Sequence, residues 1–226
     1  MKASLHPLTQ FQNYLVSIFE DLGFQVFQTP EIVSEWYNFD SVLVPDNHPA
    51  RDEQDTFWLD NSTVLRTQTS AGQVMIMENN KPPIRAIIPG RVYRNERTDA
   101  SHEAVFDQLE GFAIDKNISM TDLMGTLEYV LRKIFSKNLQ IRVRPHFYPF
   151  VEPGLDVDMY FKDKWLEVLG SGMIHPGVLK NMNVNPDEYQ GFAFGMGVNR
   201  LMMLYYGIDD IRIPYQNDFR FLKQFR

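Results

Sequence analysis

"GRVYRNERTDASHEAVFDQLEG", residues 90–111, decides the fold class. Apolar and polar residues alternate on either side of the polar stretch "RTDASH", as two half-buried strands require. Two such arms joined by a polar tip make a long hairpin, so the neighbouring strands run antiparallel. In a strand, residues two apart share a face. Arg94 and Glu96 then point together, as do Gln108 and Glu110. A guanidinium fork fits a carboxylate or phosphate through two bonds. Glu110 can grip an ammonium and Gln108 can add a hydrogen bond. Both halves of a free amino acid would find partners here. The competing reading is cross-strand ion pairing on a solvated face. Against it stand Phe106, Leu109 and Phe112, which set these polar groups among apolar neighbours.

Outward from the hairpin, strands continue to follow one another. Upstream, "IRAIIPGRVYRNE" predicts a strand broken at Pro89-Gly90. Downstream, "QIRVRPHFYPF", "LDVDMYF" and "KWLEVLGSG" alternate as strands, and "GFAFGMGVNRLMMLYYG" starts as a Gly-rich strand that becomes a helix closed by Gly207. Two amphipathic helices flank them. In the first, Phe11, Leu15, Ile18, Phe19 and Leu22 recur at helical spacing, with Thr9 as N-cap and Gly23 as stop. In the second, Leu123, Leu127, Val130, Leu131 and Ile134 form one face behind Ser119. "SAGQVMIMENN" reads as a shorter helix and "NHPARDEQDTFWLD" as a loop. The pattern predicts an α+β fold, a mostly antiparallel sheet flanked by helices.

Composition narrows the function classes. The 226 residues fit one large domain, and a net charge of −7 argues against broad, non-specific nucleic-acid binding. Without cysteine there are no disulfides, thiolate metal sites or cysteine nucleophiles. No apolar run reaches bilayer length and "MKASLHPLTQ" lacks a signal-peptide core, so a cytoplasmic protein with no membrane role is expected.

Four further stretches carry polar or aromatic residues in suggestive positions. In "GFAFGMGVNRL", glycines alternate with apolar residues before Arg200, so a flat ring can lie on the strand while Arg200 reaches phosphates. It matches neither a phosphate loop nor a dinucleotide fingerprint, and tight helix-on-sheet packing explains it equally well. "WLEVLGSGMIHP" puts Glu167 on a strand ending in small residues, a place for Mg²⁺. His175 beside Pro176 shapes a turn. "YPFVEPG" sets Tyr148 and Phe150 on one strand face, either as walls of an aromatic slot or as core residues. "LRTQTSAGQ" brings Gln68 and Ser70 to a helix start, where Ser70 reads as an N-cap.

Taken in order, "HPLTQ", "GFQVFQTPEI", "HPARDEQDTFWL", "LRTQTS", "PPIRAIIPGRVYRNE", "FDQLEGF", "VRPHFYPFVEPG", "WLEVLGSGMIHP", "GFAFGMGVNRLMMLYYGIDDIR" and "FRFLKQF" resemble the catalytic domain of bacterial phenylalanyl-tRNA synthetase alpha subunits, class II aminoacyl-tRNA synthetases. The likeness spans essentially the whole chain and implies a single catalytic domain, 1–226. It implies ATP-dependent activation of phenylalanine and its transfer to tRNA(Phe), with ATP as substrate, Mg²⁺, and a beta subunit as partner. By the same resemblance, Arg94 contacts the amino-acid carboxylate and the α-phosphate, Glu96 and His102 contact ATP, and Arg200 holds its phosphates. Gln68, Ser70, Gln108 and Glu110 are the polar contacts of the amino acid. Tyr148 and Phe150 embrace its ring above Ala193 at the pocket floor, and Glu167 binds Mg²⁺. Pro30 marks a helix–strand dimer interface, so a homodimer through that region is expected. The apolar residues there are Phe24, Val26, Phe27, Ile32 and Trp36, of which the alternating inner set packs into the chain's own sheet on the competing reading.

This chain departs from the family's pattern at Asp107, where an imidazole is usual, at Tyr148, where phenylalanine is usual, and at Asn199, where glutamate is usual. The family's N-terminal coiled coil is absent from the sequence. A related enzyme with another acceptor and a catalytically inactive binding module are the competing functions. Retention of Arg94, Glu110 and Arg200 weighs against the second.

Overall fold

The computed structural model describes residues 5–52, 55–100 and 102–225. The elements follow in the order α1 (Pro7–Asp21), β1 (Gln25–Val26), β2 (Ile32–Ser34), α2 (Glu35–Asn38), β3 (Thr63–Leu65), α3 (Ala71–Met77), β4 (Ile84–Tyr93) and β5 (Val105–Asp115). Then come α4 (Met120–Ile134), β6 (Ile141–Pro145), β7 (Val151–Phe161), β8 (Lys164–Ile174), α5 (Pro176–Asn181), β9 (Gln190–Gly197), α6 (Val198–Tyr206) and α7 (Phe219–Leu222). Seven strands form one sheet in the order β1-β4-β5-β9-β8-β7-β6, while β2 and β3 pair separately. Only the short β1–β4 contact is parallel, and the other neighbours in the large sheet are antiparallel.

Period-two alternation sorts the sheet into two faces. Leu109 and Ala113 of β5 and Phe192, Phe194 and Met196 of β9 meet the apolar stripes of α1, α4 and α6. The stripe read from α4 is fully buried, and Asp122 closes its N-terminus by accepting from both the Ser119 N–H and hydroxyl. On α1, Phe11, Leu15, Ile18 and Phe19 are buried. The opposite face receives α3 and α5 through Val74, Ile76, Val178 and Leu179, packed on Phe112, Ile114 and Ala193. Near its centre this second face is left open, and the candidate site lies there.

Several local expectations fail for identifiable reasons. Thr9 does not cap α1: the helix starts earlier at Pro7, and the His6 Nδ1 accepts from the Leu8 N–H at 3.2 Å. Proline at the first turn lacks the N–H that would go unpaired there. Gly23 does end the helix, in the left-handed region at φ +81°. Nor does β4 break at Pro89-Gly90; it runs continuously through them. The Ile87 carbonyl accepts from the Phe27 N–H on the side away from β5. Pro89, two residues on, faces that same side, where β1 has already ended. Its missing N–H therefore costs no ladder bond. His175 does more than shape a turn, because its Nδ1 caps α5 by accepting from the Gly177 N–H at 3.0 Å.

Candidate active site

The candidate nucleotide, amino-acid and metal contacts named from the sequence all line one cleft of about 410 Å³: Gln68, Ser70, Arg94, Glu96, His102, Gln108, Glu110, Tyr148, Phe150, Glu167, Ala193 and Arg200. Its floor is built by β5 and β9, which pair antiparallel with Glu110 opposite Gly195 and Gln108 opposite Gly197. A β-carbon on Gly195 would lie 2.9 Å from the Gln108 amide nitrogen and 3.0 Å from a Glu110 oxygen. Glycine there leaves the two polar side chains room to lie across the strand.

Glu110 is the most unusual group in the cleft. It is only 2% exposed. The Gln73 amide donates to its Oε1 at 2.5 Å and the Gln108 amide to its Oε2 at 3.2 Å. Burial pushes its carboxyl up to about 7, against hydrogen bonds from Ser70, Gln73 and Gln108 that favour the charged form. All three partners are neutral, so the charge they cradle is uncompensated until a cation arrives. Ser70 reaches Glu110 instead of capping α3: its backbone is already helical and its side chain makes no cap bond. Gln73 was missed in the sequence, although a glutamine inside the apolar run "AGQVMIM" was the available signal.

Arg94 and Glu96 are not strand neighbours, because β4 ends at Tyr93. The Arg94 N–H still pairs with the Ala104 carbonyl at 2.9 Å and holds the hairpin's two arms together. The Arg94 Nε donates to the Thr67 carbonyl at 3.1 Å, and its guanidinium lies 5.1 Å from the Phe106 ring centre. One face is thus fixed by protein while Glu96 stands 3.9 Å away and the remaining nitrogens face the cleft. His102, beyond the hairpin tip, faces the Asp99 carboxylate through Nδ1 at 3.0 Å. Gln68 donates to the Asn38 carbonyl at 3.4 Å.

Tyr148 and Phe150 lie in the turn between β6 and β7, not on a strand face, and their rings stack at 5.6 Å with 23° between planes. Ala193 is buried beneath them on β9, within the same apolar cluster. Glu167 sits on β8 and accepts an ion pair from Arg144 at 3.2 Å. Among the described residues no group of three acidic, His or Cys side chains could hold a metal ion. A single carboxylate suits Mg²⁺ that takes its other ligands from phosphates and water.

Arg200 stands exposed on the first turn of α6. Asn199 beside it is buried and joins three elements. Its Oδ1 accepts from the Asp107 N–H at 2.7 Å and its Nδ2 donates to the Tyr215 hydroxyl at 2.5 Å. Asp107 itself does not line this cleft but a second one, together with His6, Arg91 and Tyr215. Burial raises its carboxyl, and Arg91 opposes the rise.

The sequence model of the tRNA synthetases class II core domain (F) matches residues 1–225. The chain is 53% identical over 223 residues to the phenylalanine–tRNA ligase alpha subunit of Cronobacter sakazakii, covering 98% of this chain and 68% of that protein. It is 52% identical, with the same coverage, to the alpha subunit of Klebsiella pneumoniae. Among solved structures it is similar to the pyrrolysyl-tRNA synthetase of Desulfitobacterium hafniense, with a TM-score of 0.72 at 20% identity over 91% of this chain and 71% of that one. At that identity the likeness speaks for the fold alone. With an antiparallel sheet, a hairpin arginine and a strand-to-helix arginine around one cleft, the chain belongs to the class II aminoacyl-tRNA synthetases, among the phenylalanine–tRNA ligase alpha subunits.

Proposed function

We propose that this chain activates phenylalanine with ATP to the aminoacyl-adenylate and passes the aminoacyl group to tRNA(Phe), as a cytoplasmic catalytic subunit working with a beta subunit. One observation carries the reading: a buried carboxylate held only by neutral donors, Glu110, lies in the same cleft as an apolar aromatic slot and two arginines. That combination fits an ammonium, an aromatic ring and a carboxylate or phosphate. Glu110 takes the ammonium, with Gln68, Ser70 and Gln108 around it. Tyr148, Phe150 and Ala193 take the ring. The substrate carboxylate then attacks the α-phosphorus of ATP, the new C–O–P bond forms, and pyrophosphate leaves. Arg94 neutralises charge that develops on the phosphoryl oxygens, while Arg200, Glu96 and His102 hold the nucleotide. Such a reaction needs positioning and fixed charge and no side-chain nucleophile. Glu167 would hold Mg²⁺, which supplies further charge neutralisation on the phosphates. The test is ATP–pyrophosphate exchange measured with each aromatic amino acid. Phenylalanine-dependent exchange is expected, and exchange with none of them would refute the reading.

Ala193→Gly should deepen the slot floor and admit para-substituted phenylalanines. Exchange with a para-halogenated phenylalanine should rise about tenfold relative to phenylalanine, since about one methyl group of space is worth 1–3 kcal/mol. A wild-type enzyme that already uses tyrosine as well as phenylalanine would contradict an apolar floor.

The assembly prediction rests on the segment around Pro30. Val26, Ile32 and Trp36 are 41%, 56% and 43% exposed. Phe24, expected among them, is instead buried against Phe19 and Phe194, and Phe27 is half-buried against the core beneath α3 and α5. The three exposed side chains form apolar surface of the kind partners cover. A homodimer is expected for the isolated chain, and a heteromer when a beta subunit is supplied. Sedimentation showing only monomer at micromolar concentration, with full exchange activity, would exclude this arrangement. No described helix is long and apolar enough to cross a membrane.

A further inference from the structure

Behind the aromatic slot lies a buried carboxylate that the proposed reaction does not use. Asp156, on β7, is 1% exposed and does not line the cleft. Its Oδ1 accepts from the Tyr148 hydroxyl at 2.8 Å. Its Oδ2 faces the His146 Nδ1 at 3.0 Å and the Arg144 guanidinium at 3.3 Å. His146 stacks on Tyr148 at 4.5 Å, and Tyr148 on Phe150 at 5.6 Å. One carboxylate therefore holds two rings of a three-ring column through its two separate oxygens. The strand opposite leaves room for this. Asp156 pairs with Gly170 of β8, where a β-carbon would stand 2.6 Å from the Tyr148 hydroxyl oxygen.

We propose that Asp156 is a positioning residue for the amino-acid slot: by accepting the Tyr148 hydroxyl it draws the phenol's polar end into the protein and fixes the ring as a wall. The inference rests on the phenylalanine-activating reading. Tyr148 lies in the turn, its backbone tied by an isolated bridge to Val151, and this bond adds a hold on the ring itself. Burial, followed by the bond to Asp156, raises the Tyr148 hydroxyl well above the ordinary tyrosine range, so it stays a donor at any working pH. The side chain that departs from the family pattern thus has a buried partner for its polar tip.

The logic of buried pairs predicts an asymmetry. Removing Asp156 strands the Tyr148 hydroxyl, whereas once Tyr148 has lost its hydroxyl Asp156 has no hold left on that ring, so the two substitutions do not act independently. Pyrophosphate exchange is measured for the wild type, Tyr148→Phe, Asp156→Leu and the double variant, with thermal melts to verify folding. Asp156→Leu should raise KM for phenylalanine about tenfold and change kcat less than twofold. Tyr148→Phe should raise KM about fivefold. In the double variant KM should fall back to that of Tyr148→Phe, because the stranded hydroxyl is gone. Multiplying effects would overturn the proposal, since Asp156 would then act apart from Tyr148. So would an unchanged KM in Tyr148→Phe, which decides the matter alone if Asp156→Leu does not fold. Absence of phenylalanine-dependent exchange in the wild type overturns the underlying reading as well. Exchange in the wild type with failure of the rescue overturns the positioning role only.

Discussion

Arg94→Ala should abolish adenylate formation while leaving the fold intact. The side chain is held on one side only, by the Thr67 carbonyl at 3.1 Å and the Phe106 ring at 5.1 Å. Its ion pair with Glu96 spans 3.9 Å between half-exposed groups and adds little to stability. Loss of a preorganised donor aimed at developing charge costs about 3 kcal/mol or more, a rate loss of two to three orders of magnitude. The strand pairing of the hairpin uses the Arg94 backbone and survives the change. Pyrophosphate exchange together with a thermal melt separates the two effects. A folded Arg94→Ala protein that still exchanges at near wild-type rate would remove Arg94 from the reacting groups.

Glu110→Gln should cripple amino-acid use and at the same time change how stability depends on pH. For the ligand, the ammonium loses the one buried carboxylate among the described residues lining the cleft, and breaking such a pair costs about 3–5 kcal/mol. The kcat/KM for phenylalanine should drop by roughly two to three orders of magnitude. The wild type should show the same dependence through protonation. With the Glu110 carboxyl near 7, the charged form predominates above that pH and is lost below it. Lowering the pH from 8 to 6 should reduce kcat/KM about tenfold in the wild type, as a one-proton titration requires.

The stability effect has the opposite sense. Folding raises this carboxyl from 4.5 to about 7, so the folded protein keeps a proton that the unfolded chain has already released. The stabilisation is fully present below the unfolded value and is lost as pH rises through about 7, by about 3 kcal/mol at most. Glu110→Gln should flatten that part of the profile and melt higher than the wild type at pH 8. Unfolding temperatures of both proteins between pH 5 and 8 check this. Parallel profiles would mean that Glu110 does not titrate in this window.

Much of this was written along the chain. The stripes of α1 and α4 were legible because a helix surface repeats its neighbours at three and four residues, and every residue read on the α4 face is buried. The hairpin was legible because alternation on both sides of a polar tip admits one pairing, and Gln108 and Glu110 do share a face. The candidate site residues could be named because each sits in a distinctive short word. That they line one cleft is a tertiary fact.

What escaped the sequence depends on neighbours that are distant along the chain. Pro89 looked like a break because local pattern cannot say which strand edge is unpaired; the early end of β1 decides it. Tyr148 and Phe150 kept strand-like spacing yet lie in the turn between β6 and β7, where the Tyr148 hydroxyl finds Asp156 on the neighbouring strand beside Gly170. Ser70 read as a cap, but it and Gln73 turn to Glu110, thirty-seven residues beyond Gln73. The sequence by itself determined which faces are apolar and which residue types are present, because those follow from short-range periodicity. Only the tertiary structure decided which polar groups are buried together. The partner that sets a carboxyl's charge, or holds a ring in place, is chosen by packing across the sheet and leaves no trace in local spacing.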